Sequence, residues 1–133
     1  MCASFRRSAR ALSQVYDEAM RPTGLRSTQF TILQALSLTG EITQGDLGEV
    51  LATDSTTLTR TLDILGRRGW IGKRQGKDRR ERWLRLTAAG QKQFNAALPY
   101  WQKIQDRLQR QMGHERWQAL LLMTQEVTEA AIG

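Results

Sequence analysis

Residues 43–86, TQGDLGEVLATDSTTLTRTLDILGRRGWIGKRQGKDRRERWLRL, change from a helical to a strand-like hydrophobic pattern near their middle. In the first half, leucines recur every three or four residues in two short segments that meet at Asp54, which is typical of amphipathic helices. In the second half, hydrophobic and polar residues alternate over 70–74 and again over 82–86, with a polar loop between them. The stretch therefore predicts two adjacent short helices followed by a β-hairpin.

Further amphipathic helices are predicted on both sides of this stretch. They are expected at about Ser4–Met20, between Thr28 and Gly40, at Ala88–Met112 and after Gly113. A threonine is available to cap three of the helices: Thr28, Thr43 and Thr87. At 133 residues one domain is the expectation. The predicted fold class is thus mainly α with a small β-hairpin.

The positive charge of the chain is concentrated in residues 60–85. The chain has 20 Lys and Arg against 13 Asp and Glu, and this segment alone holds ten basic and three acidic residues, so it carries the whole excess of +7. A polyanion neutralised by such a patch releases counterions, which favours association. A helix fits the major groove of DNA and arginine suits the negative minor groove. We therefore interpret the pattern as a winged helix-turn-helix that binds double-stranded DNA.

Other classes of protein are disfavoured by the composition. One cysteine and one histidine cannot form an internal disulfide or a structural zinc site, and no glycine-rich phosphate-binding loop appears. We expect no enzyme activity, cofactor or metal. No run of about 18 apolar residues is present, so no membrane partner is expected. Arg6 and Arg7 occupy the place where a signal peptide has its apolar stretch, and we expect a cytoplasmic protein.

Several short motifs in this order resemble the MarR family of bacterial transcriptional regulators. They are Gly24-Leu25, Thr28–Phe30, Thr43–Leu47, Ser55–Arg60, Leu65–Ile71, Asp78–Arg80 and Leu86–Gly90. The resemblance implies a DNA-binding lobe at 25–90, and dimerisation helices at 1–22 and 91–133. It implies a homodimer that binds a pseudo-palindromic operator, usually as a repressor. Such proteins often respond to small aromatic or anionic ligands, or to oxidants.

The exposed face of the helix at 54–66 is the predicted recognition surface. Its polar members are Ser55, Thr56, Thr57, Thr59 and Arg60. Hydroxyl groups near a helix N-terminus can bind phosphates and base edges, and Arg60 can contact a guanine through two hydrogen bonds. The alternative is that the hydroxyl groups only cap the helix and that Arg60 is simply solvated.

The basic wing, residues 73–83, is the second predicted contact with DNA. The resemblance implies that Arg80 enters the minor groove and that Asp78 orients it through a charge-assisted hydrogen bond. A surface ion pair of little energy is the alternative. The remaining basic residues of the wing are expected to contact phosphates or to contribute to the general field: Lys73, Arg74, Lys77, Arg79 and Arg82.

Two further hypotheses concern regulation. Tyr16, Phe30 and Trp101 could line a ligand pocket in which Arg10 anchors a carboxylate, although core packing explains the aromatic residues equally well. Cys2 could sense oxidants as in the hydroperoxide-sensing branch of the family, because a helix N-terminus lowers a thiol pKa. Residues 27–30 lack the tyrosine expected there to bond the thiolate, and an inert cysteine is the other reading. A non-regulatory nucleic-acid-binding protein is a further alternative.

Overall fold

Six α-helices and three short β-strands make up the computed structural model, which describes residues 1–133. The helices are α1 (Cys2–Met20), α2 (Ser27–Thr39), α3 (Gln44–Leu51), α4 (Ser55–Arg67), α5 (Ala88–Met112) and α6 (His114–Ile132). The strands are β1 (Glu41–Thr43), β2 (Ile71–Gln75) and β3 (Arg82–Leu86). The predicted mainly α fold is confirmed. No helix is both long enough and apolar enough to cross a membrane.

The sheet has one strand more than the predicted hairpin. Its order is β1-β3-β2, and both neighbouring pairs are antiparallel. β2 and β3 lie within one residue of their predicted positions, whereas β1 was not predicted. β1 has only three residues, and its pairing partner in β3 lies about forty residues further along the chain. A segment this short has no alternation of its own that could reveal it.

Two of the three predicted threonine caps are confirmed. The hydroxyl oxygen of Thr43 accepts a hydrogen bond from the Asp46 N–H at 3.2 Å, and that of Thr87 accepts one from the Gly90 N–H at 3.0 Å. The prediction that Thr28 caps α2 is wrong, because the helix already begins at Ser27. There the Asp17 carboxylate accepts the Ser27 N–H at 2.7 Å, a partner from another helix that local sequence does not show.

The hydrophobic core lies where α2, α3, α4 and α5 meet the inner face of the sheet. Fourteen side chains form it: Met20, Leu25, Phe30, Ile32, Leu33, Leu36, Leu47, Leu58, Leu62, Leu65, Ile71, Leu84, Phe94 and Ala97. Burial of each large side chain contributes roughly 1.5–3 kcal/mol. This core fixes the rotation of α4, since its three leucines point inward and its polar face must point outward.

The start of α5 contacts the base of the wing directly. The Thr87 N–H donates to the Trp70 carbonyl oxygen at 3.1 Å, and the Thr87 hydroxyl donates to the Gly69 carbonyl at 2.6 Å. A Cβ atom at Gly90 would lie 1.8 Å from the Trp70 carbonyl oxygen. Only glycine permits this approach, so the first turn of α5 and the chain entering β2 are held together.

The terminal helices bury little within one chain. Met20 is the single buried residue of α1, and Trp117 is the single buried residue of α6. Large hydrophobic side chains remain exposed on both helices: Phe5, Leu12, Leu121, Leu122, Met123, Val127 and Ile132. The two ends of the chain therefore carry apolar surface that the monomer does not cover.

Candidate nucleic-acid interface

The first turn of α4 is organised by Asp54, the residue that precedes it. Its carboxylate accepts hydrogen bonds from the Thr57 N–H at 2.9 Å and from the Thr57 hydroxyl at 2.7 Å. These bonds hold the pKa of Asp54 below its ordinary value. The Thr57 hydroxyl thus has a structural partner, which agrees with the capping alternative for this one residue.

The outward face of α4 presents the other predicted polar residues. Ser55, Thr56, Thr59 and Arg60 are all exposed. The Arg60 guanidinium forms no ion pair within the chain, so its charge is available to a partner.

A residue that the sequence did not predict joins this face. The Gln44 side-chain amide, on the first residue of α3, donates to the Thr59 hydroxyl oxygen at 3.0 Å. The Gln44 carbonyl oxygen and one N–H remain free, as does the hydroxyl proton of Thr59. In the sequence, Gln44 is notable only as the residue that follows the Thr43 cap. Its contact with Thr59, fifteen residues later, depends on the angle between α3 and α4.

The loop at 76–81, between β2 and β3, forms a tight turn with its cations outward. The Gly76 N–H donates to the Glu81 carbonyl at 2.9 Å, and the Glu81 N–H donates to the Asp78 carbonyl at 3.0 Å. A Cβ at Gly76 would come within 2.4–2.9 Å of the Glu81 and Trp83 side chains, so a larger residue would have to displace them. The loop cations are exposed and have no ion-pair partner: Lys77, Arg79 and Arg80.

Asp78 contacts Arg80 differently from the way the sequence predicted. Its carboxylate accepts the main-chain N–H of Arg80 at 3.2 Å, rather than the guanidinium. A side chain two residues before an amide reaches it readily in a turn, which is the usual role of aspartate there. The Arg80 guanidinium consequently stays free to project from the wing.

Two predicted phosphate contacts, Lys73 and Arg74, lie in ion pairs within the chain. Lys73 Nζ lies 2.9 Å from Asp63 Oδ1, which ties β2 to α4 and lowers the pKa of Asp63. Arg74 donates to both carboxylate oxygens of Glu41, Nε to Oε2 at 2.9 Å and Nη2 to Oε1 at 2.6 Å. This paired hydrogen bonding lowers the pKa of Glu41 and raises that of Arg74. Glu41 lies in β1, so the failure to predict that strand also hid this partner.

An open groove lies between α3, the start of α4 and the wing. It encloses about 1150 Å³, and its lining includes Gln44, Ser55, Thr59, Arg80 and Arg82. Members of the predicted recognition surface and of the predicted wing therefore face one shared space. Arg82 is exposed and has no ion pair, like Arg80.

The aromatic residues of the hypothesised ligand pocket pack against other side chains. Phe30 is 1% exposed and stacks on Phe94 and Trp101, with ring centroids 5.3 and 5.6 Å away. The Tyr16 hydroxyl donates to the Gln105 side-chain oxygen, and burial raises the pKa of Tyr16. Arg10 is exposed, and its side chain makes no hydrogen bond within the chain.

The single cysteine lies far from the groove in sequence, at the start of the chain. Cys2 is exposed at the first residue of α1. No three His, Cys, Asp or Glu side chains come together in a way that could hold a metal ion.

Comparisons with known proteins agree with this geometry. The model of the MarR family matches residues 25–81. The uncharacterized HTH-type transcriptional regulator YwoH of Bacillus subtilis is 36% identical over 87 residues, which are 65% of this chain and 64% of that protein. The transcriptional regulator MosR of M. tuberculosis, solved in complex with DNA, is 34% identical, with 98% of this chain and 96% of MosR covered and a TM-score of 0.85.

A more distant solved structure shares the fold. It is a cysteine-to-serine mutant of MarR from E. coli complexed with operator DNA, 22% identical, with 94% of this chain and 91% of that chain covered and a TM-score of 0.84. At this identity the likeness concerns the fold alone. The order of helices and strands described above is therefore that of the solved regulators.

Proposed function

Because the chain belongs to the MarR family of DNA-binding transcriptional regulators, we propose that it binds a pseudo-palindromic operator as a homodimer and represses transcription. Residues 25–90 form the DNA-binding lobe of each subunit, and residues 1–22 and 91–133 pair the subunits. In each lobe α4 lies in the major groove of DNA and the wing loop reaches the adjacent minor groove.

One observation carries the assignment of the DNA-binding surface. Ser55 and Thr59 of α4 line the same groove as Arg80 and Arg82 of the wing, and these two arginines have no ion-pair partner in the chain. Unpaired Arg60, Arg80 and Arg82 carry no desolvated internal contact that DNA would have to break. Their charge therefore contributes fully to counterion release when a phosphate backbone binds.

The uncovered apolar surface of the terminal helices supports the homodimer. Burial of exposed apolar area stabilises an interface by roughly 25 cal/mol per Å² before the costs of association. A second copy of the chain offers the same surface, and a two-fold axis pairs it with itself. Two lobes related by such an axis match an operator whose half-sites are related in the same way.

Release by a small aromatic or anionic ligand completes the proposal. Such a ligand shifts the dimer between arrangements only by binding one of them more tightly. Affinity for DNA then follows the separation of the two α4 helices, which must match about one helical turn, ~34 Å.

Selection of bound sequences from a pool of random duplexes tests the proposal. We expect enrichment of an inverted repeat whose half-site centres lie about 10 base pairs apart. Enrichment of no defined site over random duplex at the same salt concentration would instead indicate a non-regulatory nucleic-acid-binding protein.

Single substitutions then test the residues. Arg80→Ala should weaken binding to the selected duplex at least tenfold in fluorescence anisotropy, since a minor-groove contact is lost. Arg26→Ala removes an exposed arginine without an ion pair from the residue before α2, outside the groove, and should change little. Asp78→Ala should weaken binding although it removes a negative charge, because the turn that presents Arg80 loses its hydrogen bond. Unchanged affinity of Arg80→Ala would remove the wing from the contact.

A further inference from the structure

On the outer face of the sheet, an ion pair joins the two edge strands, β1 and β2. The register pairs Arg74 of β2 and Thr43 of β1 with Trp83 of β3, and Glu41 with Arg85. Side chains two residues apart on a strand share a face, so Arg74, Trp83 and Glu41 all lie on the same side. Arg74 crosses the central strand to reach Glu41, and we call these three residues the strap.

The strap is held by more than charge. The Arg74 guanidinium donates one hydrogen bond to each carboxylate oxygen of Glu41, and this bidentate ion pair fixes both side chains. On its way it passes over the Trp83 indole, with Cζ 5.1 Å from the ring centroid. A second guanidinium, that of Arg85, lies beside the strap over Gly72, where a Cβ would meet it at 3.0–3.3 Å. Of the two arginines on this face, Arg74 forms the ion pair with Glu41, and the Arg85 guanidinium lies over β2.

The strap joins two parts of the lobe that must act together on DNA. β1 runs directly into α3, since Thr43 ends the strand and caps the helix, so Glu41 belongs to the helix-turn-helix. Arg74 and Trp83 belong to the two strands of the wing. On the opposite face of β2 the preceding residue, Lys73, pairs with Asp63 of α4. Consecutive residues of β2 thus hold the wing from both sides.

We propose that Glu41 is a positioning residue for DNA binding, which acts through Arg74 and Trp83 to set the angle at which the wing loop projects beside α4. Arg74 then serves within the protein and does not contact a phosphate. The inference rests on the proposed function, because it assigns a role in presenting Arg80 to DNA. Glu41 itself touches no nucleotide.

A purely electrostatic model predicts the opposite change in DNA affinity when the charge of Glu41 is removed. If Arg74 contacted a phosphate and Glu41 merely competed for it, a neutral residue at 41 would free a cation and remove an anion near DNA. Binding would then become tighter and its salt dependence steeper. The positioning role requires weaker binding, with the salt dependence unchanged because no phosphate contact is lost.

The test titrates a fluorescein-labelled duplex, carrying the site recovered by the selection, with Glu41→Gln and Arg74→Lys. Glu41→Gln keeps the side-chain shape, and Arg74→Lys keeps the charge but loses the fork. We expect each variant to bind about three- to tenfold more weakly, with an unchanged slope of log K against log salt. Glu49→Gln is the electrostatic comparison, since Glu49 is an exposed acid without an ion pair that lines the proposed DNA-binding groove, and removal of its charge alone should tighten binding.

A measurement without DNA separates positioning from loss of folding. Amide hydrogen exchange should accelerate in β2 and β3 of Glu41→Gln, while exchange in α2 and α5 stays as in the parent protein. Equal or tighter binding by Glu41→Gln, or full affinity of Arg74→Lys, would overturn the inference. Arg80→Ala in the same titration distinguishes the two proposals. If that variant weakens binding and the strap variants do not, only the strap is wrong; if Arg80→Ala is also without effect, the wing does not contact DNA.

Discussion

The winged lobe and the terminal helices differ in how completely one chain buries their hydrophobic side chains. Eleven of the fourteen core residues lie within residues 25–90, and the other three are Met20, Phe94 and Ala97 at its borders. By contrast, α1 and α6 have nineteen residues each and bury one apiece. The lobe buries its core within a single chain, whereas the terminal helices leave large apolar side chains exposed. Stability and assembly should therefore respond to different substitutions.

The largest effect should come from the core of the lobe. Leu62 on α4 is fully buried, so Leu62→Ala should lower the free energy of unfolding by roughly 2–5 kcal/mol, through lost burial and the cavity left behind. Urea unfolding followed by circular dichroism measures the change. Leu38→Ala, at a leucine that is 82% exposed on the same lobe, should stay within about 0.5 kcal/mol of the parent protein. Equal losses at both leucines would contradict the contrast.

An intermediate effect is expected from a substitution in the terminal helices, and it should change the dissociation constant of the proposed dimer. Leu122 on α6 is 58% exposed in the single chain, and in the proposed dimer it is covered by the partner subunit. Leu122→Ser should raise the dissociation constant of the dimer at least about tenfold, as measured by sedimentation equilibrium. Leu38→Ser places the same change on exposed lobe surface and should leave that constant unaltered. A dimer equally insensitive to both substitutions would place the interface elsewhere.

The smallest effect concerns the cap of α4 and its dependence on pH. The pKa of Asp54 is lowered in the folded state, so its contribution to stability is present above the ordinary pKa and is lost as pH falls through the lowered value. The urea midpoint of the parent protein should therefore fall further than that of Asp54→Asn below about pH 4. At neutral pH the two midpoints should be close, because asparagine also caps helices. Parallel decline in both proteins would assign the acid sensitivity to other carboxylates, such as Glu41 and Asp63.

Sequence periodicity predicted the elements of the lobe because the spacing of hydrophobic residues within each element shows which of its faces is buried. The leucines of α4 recur at helical spacing, and the alternation around Leu84 marks β3, so both were placed within one residue. Thr43 and Thr87 act on amides three residues away, which sequence also shows. These contacts join residues that are close in sequence, so they can be predicted without knowledge of the fold.

The contacts that shape the candidate site are instead relations between distant residues. Glu41 and Arg74 are thirty-three positions apart and form an ion pair across the central strand. Gln44 of α3 and Thr59 of α4 are fifteen positions apart and form a hydrogen bond between the two helices. Even at short range, the choice of Asp78 between the amide and the guanidinium of Arg80 depends on the turn geometry. The residue types of the wing were predictable, but which of its cations are already engaged was not.

The missing side chain at Gly90 fixes one end of α5, an arm that contains Pro99 part-way along, against the chain that enters β2. Its twenty-five residues span about 37 Å at 1.5 Å per residue. The joint with Trp70 leaves no slack, since the carbonyl oxygen occupies the space a methyl group would need. A tilt of only about 5° displaces one end of such an arm relative to the other by roughly 3 Å. In the proposed dimer, a small change in the tilt of α5 would thus become a displacement of about 3 Å at the entrance to the wing.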